Sequence, residues 1–236
     1  MSPYAVDESA VQVLVNGLPA ACLHCTPQHL EEMALGWLLG EGFVADFEDV
    51  EEIEADMVLR TVSVRATATS LSRPADRAGS HGSCERWPSV ADIPPETSRT
   101  PAELGQLVSD PARLRPLFKA MFDRAILREA GGGIHTGALV HAGEVRLVIE
   151  DVGRHNLVDK IVGHAVRGGI SLPDSLILLS ARISGAIALK LWRTGVPAVA
   201  TISVPSTMAT DIASRCGITI VGRSLKQSPL HYPVTG

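Results

Sequence analysis

Val11, Val13 and Val15 alternate with polar or small neighbours, and after Asn16-Gly17 a second such stretch runs from Ala20 to Cys25. A spacing of two is that of a half-buried strand, and Asn-Gly suits a tight turn whose central residues both take positive φ. The pattern predicts a β-hairpin over residues 9–25. The period then changes: Leu30, Met33, Ala34, Trp37 and Leu38 fall on one helical face. Thr26 is expected as N-cap, Pro27 as first helical residue, and Gly40 and Gly42 as the end. Two further strands are expected between Asp49 and Val64, centred on Met57-Val58-Leu59 and on Val62 with Val64.

From Ala66 to Thr100 the apolar periodicity vanishes and Ser, Arg, Ala, Gly and Pro dominate, which reads as a long mobile segment between two folded halves. Helices are expected over residues 101–108 and 111–128, the second with Leu114, Leu117, Phe118, Met121, Phe122 and Ile126 as its apolar stripe. After Gly131-Gly132-Gly133, a strand over 138–141 should pair with one over 145–149 across Ala142-Gly143. Beyond this the order is helix 156–166, strand 175–180, helix 185–193, strand 196–202, helix 206–215 and strand 218–221. Strands apolar throughout, alternating with helices, imply a sheet covered on both faces.

Composition narrows the function classes. The 236 residues are 45% apolar and 20% charged, as in an ordinary globular protein, and the net charge of −5 argues against duplex nucleic acid as a partner. No apolar run reaches the length of a membrane span, and the start lacks the blocks of a signal peptide, so a cytoplasmic protein without membrane partners is expected. Four cysteines are too few for a disulfide scaffold. Cys22 and Cys25 form a C-x-x-C, but no second ligand pair follows, and in an alternating strand the two point to opposite faces. No metal site is therefore assigned, and His24 and His29 read as surface or packing residues.

The densest chemistry lies at Glu150-Asp151-Val152-Gly153-Arg154-His155-Asn156, continued by Asp159-Lys160. Acid, guanidinium and imidazole crowd a strand-to-helix junction, where open α/β sheets bind ligands. The bland alternative is a solvated turn followed by an exposed helix face. Arg182 and Ser184, and then Ser203 to Thr207, repeat the placement. If these strand ends share one edge they form an anion-receptive cleft, with Arg154, Arg182, Lys160 and backbone N–H groups suited to phosphate. Neither G-x-x-x-x-G-K-[ST] nor G-x-G-x-x-G occurs. A second candidate is Cys84, flanked by His81-Gly82 and Arg86, where basic neighbours favour the nucleophilic thiolate. An incidental cysteine in a linker fits the local residues equally.

Gly133-x-His135, the 150–156 run, Asp159-Lys160, Ser180-x-Arg182-x-Ser184 and Thr219-x-Val221-Gly222 together resemble the formate dehydrogenase accessory sulfurtransferases of the FdhD type. Asn16-Gly17, Thr26-Pro27, Leu30-Glu31-Glu32, Ala34-Leu35-Gly36 and Glu41-Gly42 agree, so the likeness covers about residues 10–232. It implies an α/β protein (α+β overall): an N-terminal strand-rich α+β subdomain over 1–70, a mobile loop over 71–100 carrying Cys84, and a C-terminal cytidine-deaminase-like α/β/α core over 101–236. It implies a cytoplasmic homodimer that accepts persulfide sulfur on Cys84 from a cysteine desulfurase. The sulfur then passes to the molybdenum or tungsten bis(molybdopterin guanine dinucleotide) cofactor of apo-formate dehydrogenase, with a guanine nucleotide as partial mimic of that substrate. The implied cofactor-binding residues are His135, Asp151, Arg154, His155, Arg182 and Ser184, with Arg223, Ser224, Leu225, Lys226, Gln227 and Ser228. The loop departs from the family's C-G-x-C-G. Cys84 is its single cysteine, and it matches either the first or the second position. Ala186 stands where a glutamate is usual. The alternative function is a cofactor-binding chaperone that has lost the transfer step.

Overall fold

The computed structural model describes residues 5–67, 90, 93, 95 and 100–232. Cys84 and its neighbours, with most of the segment assigned as a loop, lie outside the described residues.

The predicted N-terminal hairpin forms from β1 (Ser9–Val15) and β2 (Leu18–Cys25), antiparallel to each other. Asn16 takes φ 49 at the turn and its amide bonds Ala66 in both directions at 3.0 Å, extending the pairing to the next strand. Beyond α1 (Leu30–Glu41), β3 (Val50–Asp56) and β4 (Thr61–Ala66) complete a four-stranded sheet in the order β2-β1-β4-β3. Val11, Val13, Leu23, Val62 and Val64 fill its inner face.

Two expectations fail here. Thr26 does not cap α1; the N-cap is His29, because Thr26 is committed to the other half of the protein. Met57-Val58-Leu59 is a turn rather than a strand core, with Val58 91% exposed. The Asp56 carboxylate accepts from the N–H groups of Val58 and Leu59 at 2.8 and 2.9 Å, and such an Asx turn reverses the chain before strand propensity can act.

The second sheet runs β10-β9-β8-β7-β5-β6. It contains β5 (His135–His141), β6 (Glu144–Asp151), β7 (Ser175–Leu179), β8 (Ala198–Thr201), β9 (Thr219–Gly222) and β10 (Leu230–Tyr232). The last was not predicted; it lies antiparallel to β9 at the edge. Between the strands come α5 (Arg154–Arg167), α6 (Gly185–Arg193) and α7 (Thr207–Cys216), and β7, β8 and β9 are parallel. The expected coverage of both faces holds. Leu176, Leu178, Ala198 and Ala200 meet α2 (Ala102–Ser109) and α3 (Pro111–Asp123), whereas Ile177, Leu179, Val199 and Ile220 share a core with α5, α6 and α7. The helix expected over 111–128 breaks at Arg124-Ala125, and α4 (Ile126–Gly131) begins anew, leaving Ile126 76% exposed.

The division near residue 70 separates two sheets but not two cores. One continuous cluster runs from the first sheet through α1 into α5, α6 and α7. The contact of α1 with α5 is backbone to backbone. A Cβ on Gly36 would stand 1.9 Å from the Asp159 carbonyl oxygen, and one on Gly163 would stand 2.0 Å from that of Glu32. Only glycine permits such an approach. The architecture is α/β with an α+β overall arrangement of two sheets.

Candidate functional site

The strand ends share one edge of the second sheet, the condition required for a common site. β6 ends at Asp151 opposite His135 of β5, and Gly137 pairs with Leu179 at the end of β7. The same edge therefore carries His135, the 151–155 turn, the segment 180–184, the segment 202–206 and the residues after β9. Hydrogen bonds stitch these loops sideways. Thr136 N donates to Ser180 Oγ at 2.9 Å, and Ile183 forms a parallel bridge with Pro205. Buried Thr201 donates its hydroxyl to the Ala181 carbonyl at 2.7 Å and accepts from Ser203 N at 3.0 Å. Ser224 is fully buried and donates to the Thr201 carbonyl at 2.9 Å, while Arg223 N donates to the Ser203 carbonyl at 2.7 Å. Three helices, α5, α6 and α7, start from this rim. Ser184 and Ser206 are the N-caps of α6 and α7; Gly153, with no side chain to give, begins α5 and leaves its first N–H groups without a side-chain cap. Helix N-termini aimed at one rim carry partial positive charge.

The side chains on the rim agree in sign. Arg182, Arg223 and Lys226 are exposed, and Arg154 and His155 are half-buried. His155 Nε2 lies 3.1 Å from Ser184 Oγ, tying the start of α5 to the start of α6. Burial, aided by the Arg154 charge, lowers the pKa of His135, so this imidazole is neutral at pH 7. Val204, Met208 and Leu225 are exposed apolar neighbours, at 40%, 52% and 41%. The carboxylates of the turn face elsewhere. Glu150 accepts from the N–H groups of Leu127 and Arg128, both at 2.7 Å, and so caps α4, which explains the break in the expected long helix. Such a rim can hold an anion with a flat apolar portion. A hollow lined by Asn16, Glu52, Glu54 and Arg65 sits instead on the first sheet and carries excess acid, unsuited to phosphate.

Asp151 is the expected site residue whose place differs most. It is fully buried and its oxygens are taken by protein groups. Oδ2 pairs with Lys160 Nζ and accepts from Thr26 N at 3.2 Å; Oδ1 accepts from Gly153 N at 2.6 Å. Lys160 Nζ also donates to the Thr26 carbonyl at 2.8 Å, and Val152 N to the Thr26 hydroxyl at 3.2 Å. Asn156 reaches the His24 carbonyl at 2.6 Å. A Cβ at Gly153 would come within 2.6 Å of the Asn156 amide, so a larger residue there would displace that side chain. Asp159 and Lys160 do not form an exposed helix face: both are buried, and Asp159 pairs with Lys190 at 2.8 Å, which reaches Glu41 of α1 at 3.0 Å. Burial in company with a second carboxylate raises the Asp159 pKa from 3.8 to about 6. Lys160 therefore lies beneath the rim and offers no charge to a ligand there. Sequence reasoning missed Thr201 and Lys190, and it noted Thr26 and Glu41 without these partners. Each acts on a partner distant in the chain, and the one local signal was a lysine on the apolar face of α6.

Comparison with known proteins places the chain in a family. The sequence model of the FdhD/NarQ family matches residues 6–233. A relative from Chromobacterium violaceum named sulfur carrier protein FdhD is 34% identical over 227 residues, 91% of this chain and 82% of its own length. One of the same name from Bacillus subtilis is 31% identical over 92% of this chain and 83% of its own. In structure the chain resembles a protein from Desulfotalea psychrophila described as a formate dehydrogenase accessory protein, with a TM-score of 0.73 at 23% identity, covering 95% of this chain and 86% of that one. Matched across nearly its whole length, and by relatives above 30% identity, the chain belongs to the FdhD/NarQ family.

Proposed function

We propose that this chain is a sulfur carrier serving formate dehydrogenase maturation. The observation that carries the reading is its relatedness, over nine-tenths of its length, to proteins named sulfur carrier protein FdhD. Cys84 is the carrier thiol: its thiolate attacks the outer sulfur of a persulfide on a cysteine desulfurase, and the donor leaves as its own thiolate. The Cys84 S–S bond would then break as the outer sulfur passes to the substrate, a bis(molybdopterin guanine dinucleotide) cofactor of molybdenum or tungsten, with Cys84 leaving as its thiolate and the metal of that substrate supplying the two electrons that take the sulfur to sulfide. The rim supports the second half of this reading. Arg154, Arg182, Arg223 and Lys226 with three helix N-termini suit pyrophosphate, neutral His135 and the His155–Ser184 pair offer hydrogen bonds, and Val204, Met208 and Leu225 offer apolar contact to a flat ring. The segment 223–228 contributes Arg223, Lys226, Gln227 and Ser228 outward, while Ser224 shapes the turn from within. The carrier acts in the cytoplasm as a homodimer. Among the described residues no helix is long and apolar enough to cross a membrane.

The test is incubation with a cysteine desulfurase and cysteine, followed by peptide mass spectrometry. A gain of about 32 Da, one sulfur atom, on the Cys84 peptide is expected. Cys25 is a built-in control, since burial raises its thiol pKa to about 12 and it should stay unmodified. No adduct at Cys84, where a two-cysteine relative is loaded under the same conditions, would overturn the carrier reading. The single loop cysteine favours the second reading in that event, a chaperone that holds the cofactor without moving sulfur.

A further inference from the structure

Away from the rim, two histidines and a glutamate converge where the start of α1 meets the end of α5. His29 is the N-cap residue of α1, at φ 55; Glu32 stands in that helix's first turn; His164 lies in the last turn of α5. His29 Nδ1 and His164 Nε2 are 3.0 Å apart, with the rings edge to face and their centroids 4.7 Å apart. One ligand atom from each of the three residues lies within 4.8 Å of the others, and among the described residues no other such trio occurs.

The arrangement is held by backbone. The α1–α5 approach at Gly163, whose Cβ position falls 2.0 Å from the Glu32 carbonyl oxygen, fixes the distance between the two helices at this point. Arg167 Nη1 donates to Glu32 Oε1 at 2.7 Å and to Glu31 Oε2 at 2.8 Å, orienting the carboxylate. Desolvation where the two rings meet, the largest influence on each, lowers the pKa of both histidines. Without a metal, one ring donates its N–H to the other.

We propose that His29 Nδ1, His164 Nε2 and the Glu32 carboxylate bind a divalent transition metal ion of the zinc class, with water in the fourth position. Two imidazoles and one carboxylate suit zinc better than magnesium or calcium, which prefer oxygen donors throughout. Tetrahedral bonds of about 2.0–2.2 Å put neighbouring ligand atoms about 3.3 Å apart, within the spread of these groups, so side-chain rotation suffices. Binding moves the ring proton between the histidines to the outer nitrogen of its own imidazole, with no net proton release. The Arg167–Glu32 contact is the kind of outer support that orients metal-bound carboxylates. The ion joins α1, with the first sheet behind it, to the helix whose opposite end presents Arg154 and His155. This site does not depend on the sulfur-carrier reading.

The test uses the full chain freed of metal by chelation. Zinc titration should show about one equivalent bound, weakened at least about tenfold in both His29→Gln and His164→Gln. Cobalt in the same site should give ligand-field bands without thiolate charge-transfer absorption, and zinc should shift the imidazole resonances of both histidines. A Cys22→Ser/Cys84→Ser variant should bind unchanged. His29 is exposed, so His29→Gln and Glu32→Gln decide the matter should His164→Gln fail to fold by circular dichroism. No binding, binding unaffected by His29→Gln and Glu32→Gln, or a thiolate-type cobalt spectrum lost with the two cysteines would each overturn the proposal.

Discussion

Charges from one short stretch meet opposite fates. Asp151, Asp159 and Lys160 point inward and are almost completely buried, whereas Arg154, two helical turns or less away, stands at the rim with Arg182 and Arg223. The inward group fastens the halves of the protein together: Asp151 and Lys160 hold Thr26 after β2, and Asp159 through Lys190 holds Glu41 of α1. The outward group stands at the rim from which three helices start. A single motif therefore contains a structural rivet and a candidate binding surface in adjacent positions. Asp151 illustrates the point: it stands three residues from Arg154 in the same run, yet its carboxylate is bonded by Lys160, Thr26 and Gly153.

The difference sets expectations that diverge in size. Lys160→Met leaves the Asp151 carboxylate buried without its cation and should destabilise by about 3–5 kcal/mol in denaturant unfolding. Adding Asp151→Asn should recover part of that loss, and a strictly additive double variant would show that the two do not act as a pair. Gly36→Ala should cost about 2–3 kcal/mol, since its Cβ would meet the Asp159 backbone and force α1 away from α5. An unchanged thermal midpoint for this variant would break the claim that the seam is tightly packed.

The Asp159 carboxyl supplies a smaller, signed effect. Its folded pKa of about 6 lies above the ordinary 3.8, so the native state holds the extra proton between these values. Its contribution to stability is present at the acid end of that window and declines as pH rises from about 4 to about 6. The stability of the wild type relative to Asp159→Asn should fall over this range; a flat or rising difference would contradict the assignment. At the rim the order reverses. Arg182→Ala should change stability by less than about 0.5 kcal/mol, while weakening a guanine nucleotide about tenfold at low salt and less at high salt. Equal loss with Lys160→Met in a still-folded variant would erase the distinction between the two groups.

Local rules carried much of the architecture. The Asn16-Gly17 hairpin, the 135–151 hairpin and the alternation of strand and helix from 154 to 222 follow from periodicity and turn residues, because those signals depend only on neighbours in the chain. The local rules failed where a partner from afar intervened. Thr26 has the residue type of an N-cap but is used by Asp151 and Val152, more than a hundred positions later. The stripe over 111–128 looked continuous until Glu150 took the N–H groups of Leu127 and Arg128.

By itself, then, the sequence determined the element types, the two-faced sheet and the identity of the crowded turn, since hydrophobic spacing and residue chemistry are local properties. The tertiary structure decided which members of that turn face solvent and which face one another. Burial is a property of what packs on top: α1 comes down on α5 at Gly36 and Gly163, closes over Asp159 and Lys160, and stops short of Arg154. The same contact brings His29 to His164, residues whose separation in the chain gave no hint of it.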